Sequence, residues 1–444
     1  MRDIAATRPH PDSGVPHCMT ATDVNPDYFT KAVTELGEKR PVVTTEAIFN
    51  DRGVKILEKG VAVNASLYDR LIAHKLPVPI EQSVSSSPLI NGPVLRAHAE
   101  QAMAEVPFFE RIGADAKHRS LLLDSLEKLT LPEPMAFQLL LANEVRPALF
   151  RHSVQMALFA GWMSLTPVVS RYDVGMAAAA GLLHDIGMLH LDPLLLNPED
   201  AITREQRRQL YSHPLVSTVL MERHHEYPRE LLRAVKEHHE FLDGSGYPRN
   251  LQGDAIGPLG RILSLGELVT SMLESGRDAP EMRLWVQLRM NKHRYDAALV
   301  ARVQQHLRPQ NELTAEGLVL LDDPVGRLQE INATVSDWPA AALQALPLSD
   351  ARREGMAAVP VQASQLLRTL ATVGVADLQL AQLGGETLGD ALRLELSLLA
   401  QEALWQLRTL TRQTKRRWRL GDEPAYPAPL QAWLDRADTL VDKL

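Results

Sequence analysis

Histidine is concentrated in one part of this chain, at a spacing that suits metal binding. Of the 15 histidines in the 444-residue sequence, eight lie between residues 152 and 239. Imidazole and carboxylate groups without thiolate suit Fe, Mn, Zn and similar divalent ions. In chain order, the candidate ligands are His152, His184, Asp185, His213, His238, His239 and Glu267.

Asp185 is the most informative of these positions because it ends an apolar run, AAAAGLLHDIG. A buried carboxylate is costly unless it is paired or bound to a metal. One alternative is that His184 and Asp185 simply bond to each other. The other is that Asp185 bridges two ions at the ~3.5–4 Å separation of binuclear hydrolases. Adjacent helical residues diverge by ~100°, so His238 and His239 would serve two ions, or one ion and a substrate.

The elements that must position these side chains are mainly helical. Apolar residues recur every three or four positions over residues 95–307, which predicts a helical domain with one loop rich in Gly and Pro at residues 242–258. Residues 24–81 have short β-branched runs that predict a small α+β module, and residues 82–94 resemble a linker. Residues 311–444 are predicted to form a helical C-terminal region, and residues 1–23 are predicted to be a disordered leader.

Composition excludes several classes of function. The net charge of −8 and pI near 6.0 give no basic field for DNA. The single cysteine, Cys18, excludes a disulfide framework and a thiolate zinc site. No apolar stretch approaches the ~18 residues of a membrane span, and the N-terminus lacks a signal peptide. A cytoplasmic setting fits these features.

A long amphipathic helix is predicted at residues 391–420, with six basic residues near its C-terminal end. The helix dipole favours positive charge there, so a solvated helix end is the simplest interpretation. A contact in a homodimer or with an anionic ligand is the alternative. The basic residues are Arg408, Arg412, Lys415, Arg416, Arg417 and Arg419.

The runs HDIGMLHLDP and HHEFLDGSGYP, with the downstream RIL, resemble the HD-GYP family of HD phosphohydrolases, over about residues 130–307. The resemblance implies a helical phosphohydrolase domain that hydrolyses cyclic di-GMP to pGpG, GMP or both. It implies two divalent ions, Fe or Mn foremost and Zn, Ni or Mg as alternatives, held by the seven candidate ligands. Asp185 takes a catalytic position as well. Arg261 matches an arginine expected to support the site, and the family's substrate-binding loop corresponds to Asp243, Gly244, Gly246, Tyr247 and Pro248.

Three positions depart from the family pattern. Met188 replaces the lysine of HDIGK, which in the family faces the scissile phosphate. Glu267 replaces an aspartate, and Ala148 stands where members with three metals have a glutamate, so at most two ions are expected. These departures keep a second hypothesis open. In that hypothesis, the domain is a catalytically weakened or inactive signalling module that binds a nucleotide or a partner such as a GGDEF-domain protein.

Overall fold

The computed structural model describes residues 26–166, 170–196, 203–307, 320–383, 388–418 and 425–442. The predicted leader, residues 1–23, lies outside the described residues. The chain divides into two compact units, one within Met1–Gly276 and His293–His306 and the other within Arg277–Lys292 and Leu307–Leu444. Both are mainly helical, which confirms the predicted fold class.

Helices make up most of the described residues, and the strands are short. In chain order the α-helices are α1 Pro26–Lys39, α2 Tyr68–Ile72, α3 Gly92–Glu105, α4 Pro107–Ile112, α5 Ala116–Glu127, α6 Glu133–Val145, α7 Pro147–Ser164, α8 Arg171–Leu183, α9 Arg204–Leu210, α10 His213–Glu222, α11 Arg229–Glu237, α12 Pro258–Glu274, α13 Pro280–Met290, α14 Ala297–Gln304, α15 Pro324–Ser336, α16 Ala340–Gln344, α17 Asp350–Met356, α18 Ala358–Thr372, α19 Asp377–Leu383, α20 Asp390–Trp418 and α21 Ala428–Val441. The strands are β1 Val42–Thr44, β2 Ile48–Phe49, β3 Lys55–Leu57 and β4 Val84–Ser86. Short 3₁₀ helices lie at Ala65–Leu67, Ile80–Gln82, Ile186–His190, Pro193–Leu196, Gly253–Ala255 and Lys292–Arg294.

The strands of the N-terminal part form two antiparallel pairs, β1 with β4 and β2 with β3. β4 lies within residues 82–94, so the prediction of a linker is corrected at this strand. The serine hydroxyls that suggested a linker have fixed partners instead: Ser85 donates to Glu133 at 2.8 Å and Ser86 to the carbonyl of Pro41 at 2.7 Å. A strand that depends on distant pairing leaves little trace in local composition.

The N-terminal part also packs against the segment that follows His184 and Asp185. The ring of Phe29 on α1 stacks on His190 at 4.3 Å between centroids, with 9° between the ring planes. The hydroxyl of Tyr28 donates to Asp192 at 3.2 Å. Residues 24–81 thus help to hold the 3₁₀ helix Ile186–His190 in place.

The pair α7 and α8 forms the centre of the first unit. Both helices are apolar on nearly all sides, as expected for helices inside a core. α8 begins at a capping box in which Ser170 and Asp173 satisfy each other's backbone N–H groups. The two backbones approach closely at Gly181, where an added Cβ would lie 2.4 Å from the carbonyl oxygen of Met156. This approach places His152 and His184 beside each other, with ring centroids 5.3 Å apart.

Two glycines on α8 therefore have opposite expected responses to alanine. Gly181→Ala should destabilise the protein by about 1–3 kcal/mol, because its methyl group meets backbone that cannot rotate away. Gly175→Ala should stabilise it by roughly 0.5–1 kcal/mol through helix propensity, since nothing lies within 4 Å of the added Cβ. Urea unfolding of both variants beside the unchanged protein measures the difference. Equal effects would refute the close approach at Gly181.

The second unit has its own hydrophobic core, which includes Trp418 and Trp433. Its long helix α20, Asp390–Trp418, confirms the predicted amphipathic helix. Two of the six basic residues form contacts within this unit. Lys415 pairs with Asp438 at 2.5 Å, and Arg417 donates to the carbonyl of Gly355 at 2.8 Å. Arg419 lies outside the described residues. α13 belongs to this unit, whereas the sequence placed it in the helical domain of residues 95–307.

None of the helices in the described part of the chain has the length and apolar content that crossing a membrane requires.

Candidate metal centre

The seven candidate ligands come from five helices or their ends and meet inside the first unit. His152 lies within α7, Glu267 within α12, and His213 begins α10. His184 and His238 are the C-cap residues of α8 and α11, each followed directly in sequence by a further candidate. None of the seven is more than 8% exposed.

These side chains form two groups that share one residue. The first ligand group contains His152, His184, Asp185 and Glu267, and the second contains Asp185, His213, His238 and His239. Within each group, one ligand atom per residue lies within 4.8 Å of all the others. The sequence therefore predicted residues that the fold does bring together.

The two oxygens of Asp185 face different groups. Oδ2 lies 3.4 Å from Nε2 of His184, in the first ligand group. Oδ1 lies 3.1 Å from Nε2 of His213 and 3.5 Å from Nε2 of His238, in the second. A carboxylate arranged in this way can bridge two cations. This arrangement goes beyond the simple His184–Asp185 pair that the sequence left open.

Backbone carbonyls orient three of the histidines in the same way. Nδ1 of His184, His213 and His238 donates to the carbonyl three residues earlier, at 2.7, 2.6 and 2.6 Å. A carbonyl can only accept, so each Nδ1 carries a proton. When such a ring is neutral, its Nε2 atom carries no proton, and the lone pair of Nε2 is directed into the cluster. This is the state that a metal requires.

The nitrogen and oxygen atoms of the two ligand groups are arranged as cation ligands. Nε2 of His213 lies 3.0 Å from Nε2 of His238, with Oδ1 of Asp185 beside both. Three lone-pair atoms at such distances repel each other unless a positive charge, proton or metal, lies among them. Within the described part of the chain, the buried atoms Nε2 of His184 and Oδ1 of Asp185 make no hydrogen bond of good geometry. Imidazole and carboxylate ligands of this kind suit divalent transition metals.

Mutual contacts shift the pKa values of the first ligand group. Burial raises the pKa of Asp185, but His184 and His213 lower it further, so that it lies well below its ordinary value. The pKa of Glu267 is likewise held well below its ordinary value, because His152 and His184 outweigh burial. Burial lowers the pKa of His184, yet Asp185 and Glu267 raise it to about 9. Both acids therefore stay ionised and able to bind a cation.

In the second ligand group, the pKa values of His238 and His239 are lowered. Burial lowers the pKa of His238, and the neighbouring rings of His184 and His213 lower it further against the opposing effect of Asp185. Burial and His238 hold the pKa of His239 well below its ordinary value. Both rings are therefore neutral, the form that coordinates metal.

The predicted substrate-binding loop lies against the second ligand group. The ring of Tyr247 stacks on His239 at 4.6 Å and on Tyr211 at 4.2 Å. Gly246 allows this approach, because a Cβ there would lie 2.4 Å from the Cα of Glu240. Pro248 follows Tyr247 through a cis peptide bond.

Asp243 and Gly244 shape the loop rather than entering the cluster. The carboxylate of Asp243 accepts from the backbone and hydroxyl of Ser245 and lies 3.4 Å from both His293 and Arg294. Burial raises the pKa of Asp243, but His293 and Arg294 hold it below its ordinary value. Gly244 has φ of +77°, a conformation that side chains rarely adopt.

Arg261 is engaged by the same loop. Its guanidinium donates to the carbonyls of Ile256 and Gly253 and to the carboxylates of Asp254 and Asp296, at 2.9–3.4 Å. These contacts fix the loop and α14 to the start of α12. Arg261 thus lies outside the two ligand groups, and its supporting role in catalysis stays a prediction.

Met188 lies in the 3₁₀ helix after Asp185 and is 1% exposed. Its backbone carbonyl accepts from Arg146 at 2.5 Å. The position where the family has a lysine is thus filled by a buried thioether.

The sequence analysis did not identify Glu274, the last residue of α12. Its Oε2 lies 3.2 Å from Nδ1 of His152.

Comparison with known proteins gives one family match and several relatives. The family model described as HD domain matches residues 137–299. A "3'3'-cGAMP-specific phosphodiesterase 3" of Vibrio cholerae is 27% identical over 27% of this chain and 26% of that protein. A "Cyclic di-GMP phosphodiesterase PA4108" of Pseudomonas aeruginosa is 26% identical over 43% of this chain and 46% of that protein.

A solved structure, Bd1817, a HDG"Y"P protein from Bdellovibrio bacteriovorus, aligns over 60% of this chain and 93% of that chain. The sequence identity over this alignment is 14% and the TM-score is 0.33. The match of residues 137–299 to the HD-domain model and the names of these relatives confirm the resemblance to HD-type cyclic dinucleotide phosphodiesterases. The chain spans between about a quarter and about a third of the length of the first curated relatives it matches.

Proposed function

We propose that this chain is a metal-dependent phosphodiesterase that hydrolyses a cyclic dinucleotide. Cyclic di-GMP is the first candidate substrate, with linear pGpG, GMP or both as products. The observation that carries the proposal is Asp185, whose two oxygens face two separate histidine groups. The relatives, named as 3'3'-cGAMP and cyclic di-GMP phosphodiesterases, support the substrate class.

Two divalent ions are proposed to bind, one in each ligand group. Fe and Mn are the first choices, and Zn, Ni and Mg are alternatives. When bound, a pair of ions can lower the pKa of a water molecule and neutralise charge on a phosphoryl group. The rings oriented by backbone carbonyls present Nε2 without further rearrangement, so the chain supplies a pre-organised set of ligands.

The predicted substrate-binding loop is proposed to shape the substrate region beside the second ligand group. Both faces of Tyr247 are occupied, by His239 and by Tyr211. Its role is therefore to fix His239 and close one side of the region, rather than to stack on a base. Asp243, Gly244, Gly246 and Pro248 hold the loop that positions Tyr247.

Turnover is the direct test of this function. The protein is incubated anaerobically with Fe(II) or Mn(II) and cyclic di-GMP, and separately with 3'3'-cGAMP, and the products are separated by chromatography. We expect linear dinucleotide or mononucleotide from at least one substrate, and none after treatment with a chelator. Absence of product with both substrates in protein that holds two ions would contradict hydrolysis.

One observation favours the second hypothesis, a catalytically weakened module. Met188 offers no positive charge to a phosphate, and losing one pre-organised donor costs about 10²–10³ in rate. Binding of cyclic dinucleotide without turnover would be the result that this hypothesis predicts. A GGDEF-domain partner and a homodimer stay predictions.

A further inference from the structure

His152 differs from the other oriented histidines in the partner of its Nδ1. Three rings donate Nδ1–H to a backbone carbonyl of the preceding turn. His152 instead has a carboxylate, Glu274, with Oε2 at 3.2 Å from Nδ1. The other nitrogen, Nε2, faces Glu267 at 3.2 Å. The ring is thus held between two acids, one in the ligand group and one outside it.

Glu274 reaches this position through the geometry of α12. It lies seven residues after Glu267, and seven helical residues return to nearly the same face, within ~20°. α12 therefore presents one acid to each nitrogen of the His152 ring. The side chains of His152 and Glu274 are 3% and 9% exposed, so water cannot replace this contact freely.

The second oxygen of Glu274 gives an independent reason to look for a role. Oε1 is buried and has no hydrogen-bond partner among the described residues. A buried carboxylate oxygen left unpaired is costly, and such groups in native proteins call for an explanation. The contact of Oε2 with His152 is the interaction that offsets this cost.

We infer that Glu274 is the positioning residue of His152, fixing its tautomer and aiming Nε2 at the ion of the first ligand group. Metal-binding histidines commonly donate their other N–H to such a carboxylate, which raises their basicity as ligands. The inference rests on the proposed metal centre. It adds a residue that is not a ligand itself and acts on only one of the two ions.

Metal titration of the full chain tests this inference. Mn²⁺ is titrated into metal-depleted protein, and the two dissociation constants are measured by competition with a chromophoric chelator. Glu274→Ala should weaken one site by about 10–100-fold, the usual effect of losing such a partner, and leave the other unchanged. Glu274→Gln should weaken the same site less, because the amide oxygen still accepts from Nδ1. Glu222→Gln is the matched control, an exposed glutamate that ends α10.

A second readout separates positioning from general destabilisation. In ¹⁵N-histidine-labelled protein, the Nδ1 proton of His152 should give a downfield NMR signal that shifts in Glu274→Gln and is lost in Glu274→Ala. Unchanged constants and an unchanged signal would overturn the inference and leave the proposed function intact. Equal weakening of both sites would also overturn it. If the unchanged protein binds no Mn²⁺, both the inference and the proposed function fail.

Discussion

Replacing Asp185 with asparagine is expected to remove both metal ions and abolish turnover. The substitution keeps the shape of a side chain that is 4% exposed but removes the only charge shared by the two ligand groups. Since even partners outside the ligand set alter affinity by about 10–100-fold, loss of a bridging ligand should exceed that at both sites. The catalytic rate should fall by at least about 10³, the scale of lost charge stabilisation in active sites.

Metal analysis by mass spectrometry resolves the two groups. The unchanged protein should hold about two ions per chain, Asp185→Asn close to none, and His239→Ala or Glu267→Ala close to one. Asp173→Asn is the control, because Asp173 lies on the same helix, α8, but serves its N-terminal cap. An Asp185→Asn variant that retains both ions would show that the ligand assignment is wrong.

Replacing Met188 with lysine is expected to raise the catalytic rate by about 10²–10³, because it restores a cationic donor for the phosphate. The resemblance to HDIGK supports this expectation. The substitution should also lower the melting temperature of the ligand-free protein, since an ammonium group enters a position that is 1% exposed. Rate measurements with saturating metal, at a temperature where circular dichroism shows a folded protein, separate the two effects.

Met188→Leu is the matched control for the lysine variant. It keeps an apolar side chain of similar volume, so both stability and rate should stay close to those of the unchanged protein. A folded lysine variant that binds two ions and is no faster than the leucine variant would show that Met188 does not limit catalysis.

The clustering of the candidate ligands could be predicted because their residue types are rare together and their helices are strongly patterned. Asp185 at the end of an apolar run and the His238–His239 pair carried that prediction. Glu274 was missed, although its seven-residue spacing from Glu267 was visible. Nothing in the local sequence indicates that the end of α12 meets His152, 122 residues earlier.

Two other features depend on distant contacts. The guanidinium of Arg261 binds Asp296, 35 residues later in the chain, a contact that the local sequence does not indicate. β4 lay in a serine-rich segment whose pairing with β1, some 40 residues earlier, has no local signal. Residue type and period thus predicted the helices and the clustering of the candidate ligands, whereas the side chains that orient these residues depend on the tertiary fold.

Anomalous X-ray diffraction from crystals grown with Mn²⁺ tests the central claim most directly. The account predicts two anomalous peaks about 3.5–4 Å apart. One would be bound by His152, His184 and Glu267, the other by His213, His238 and His239, with Asp185 between them. A single peak, or peaks that do not contact Asp185, would contradict a shared two-metal centre.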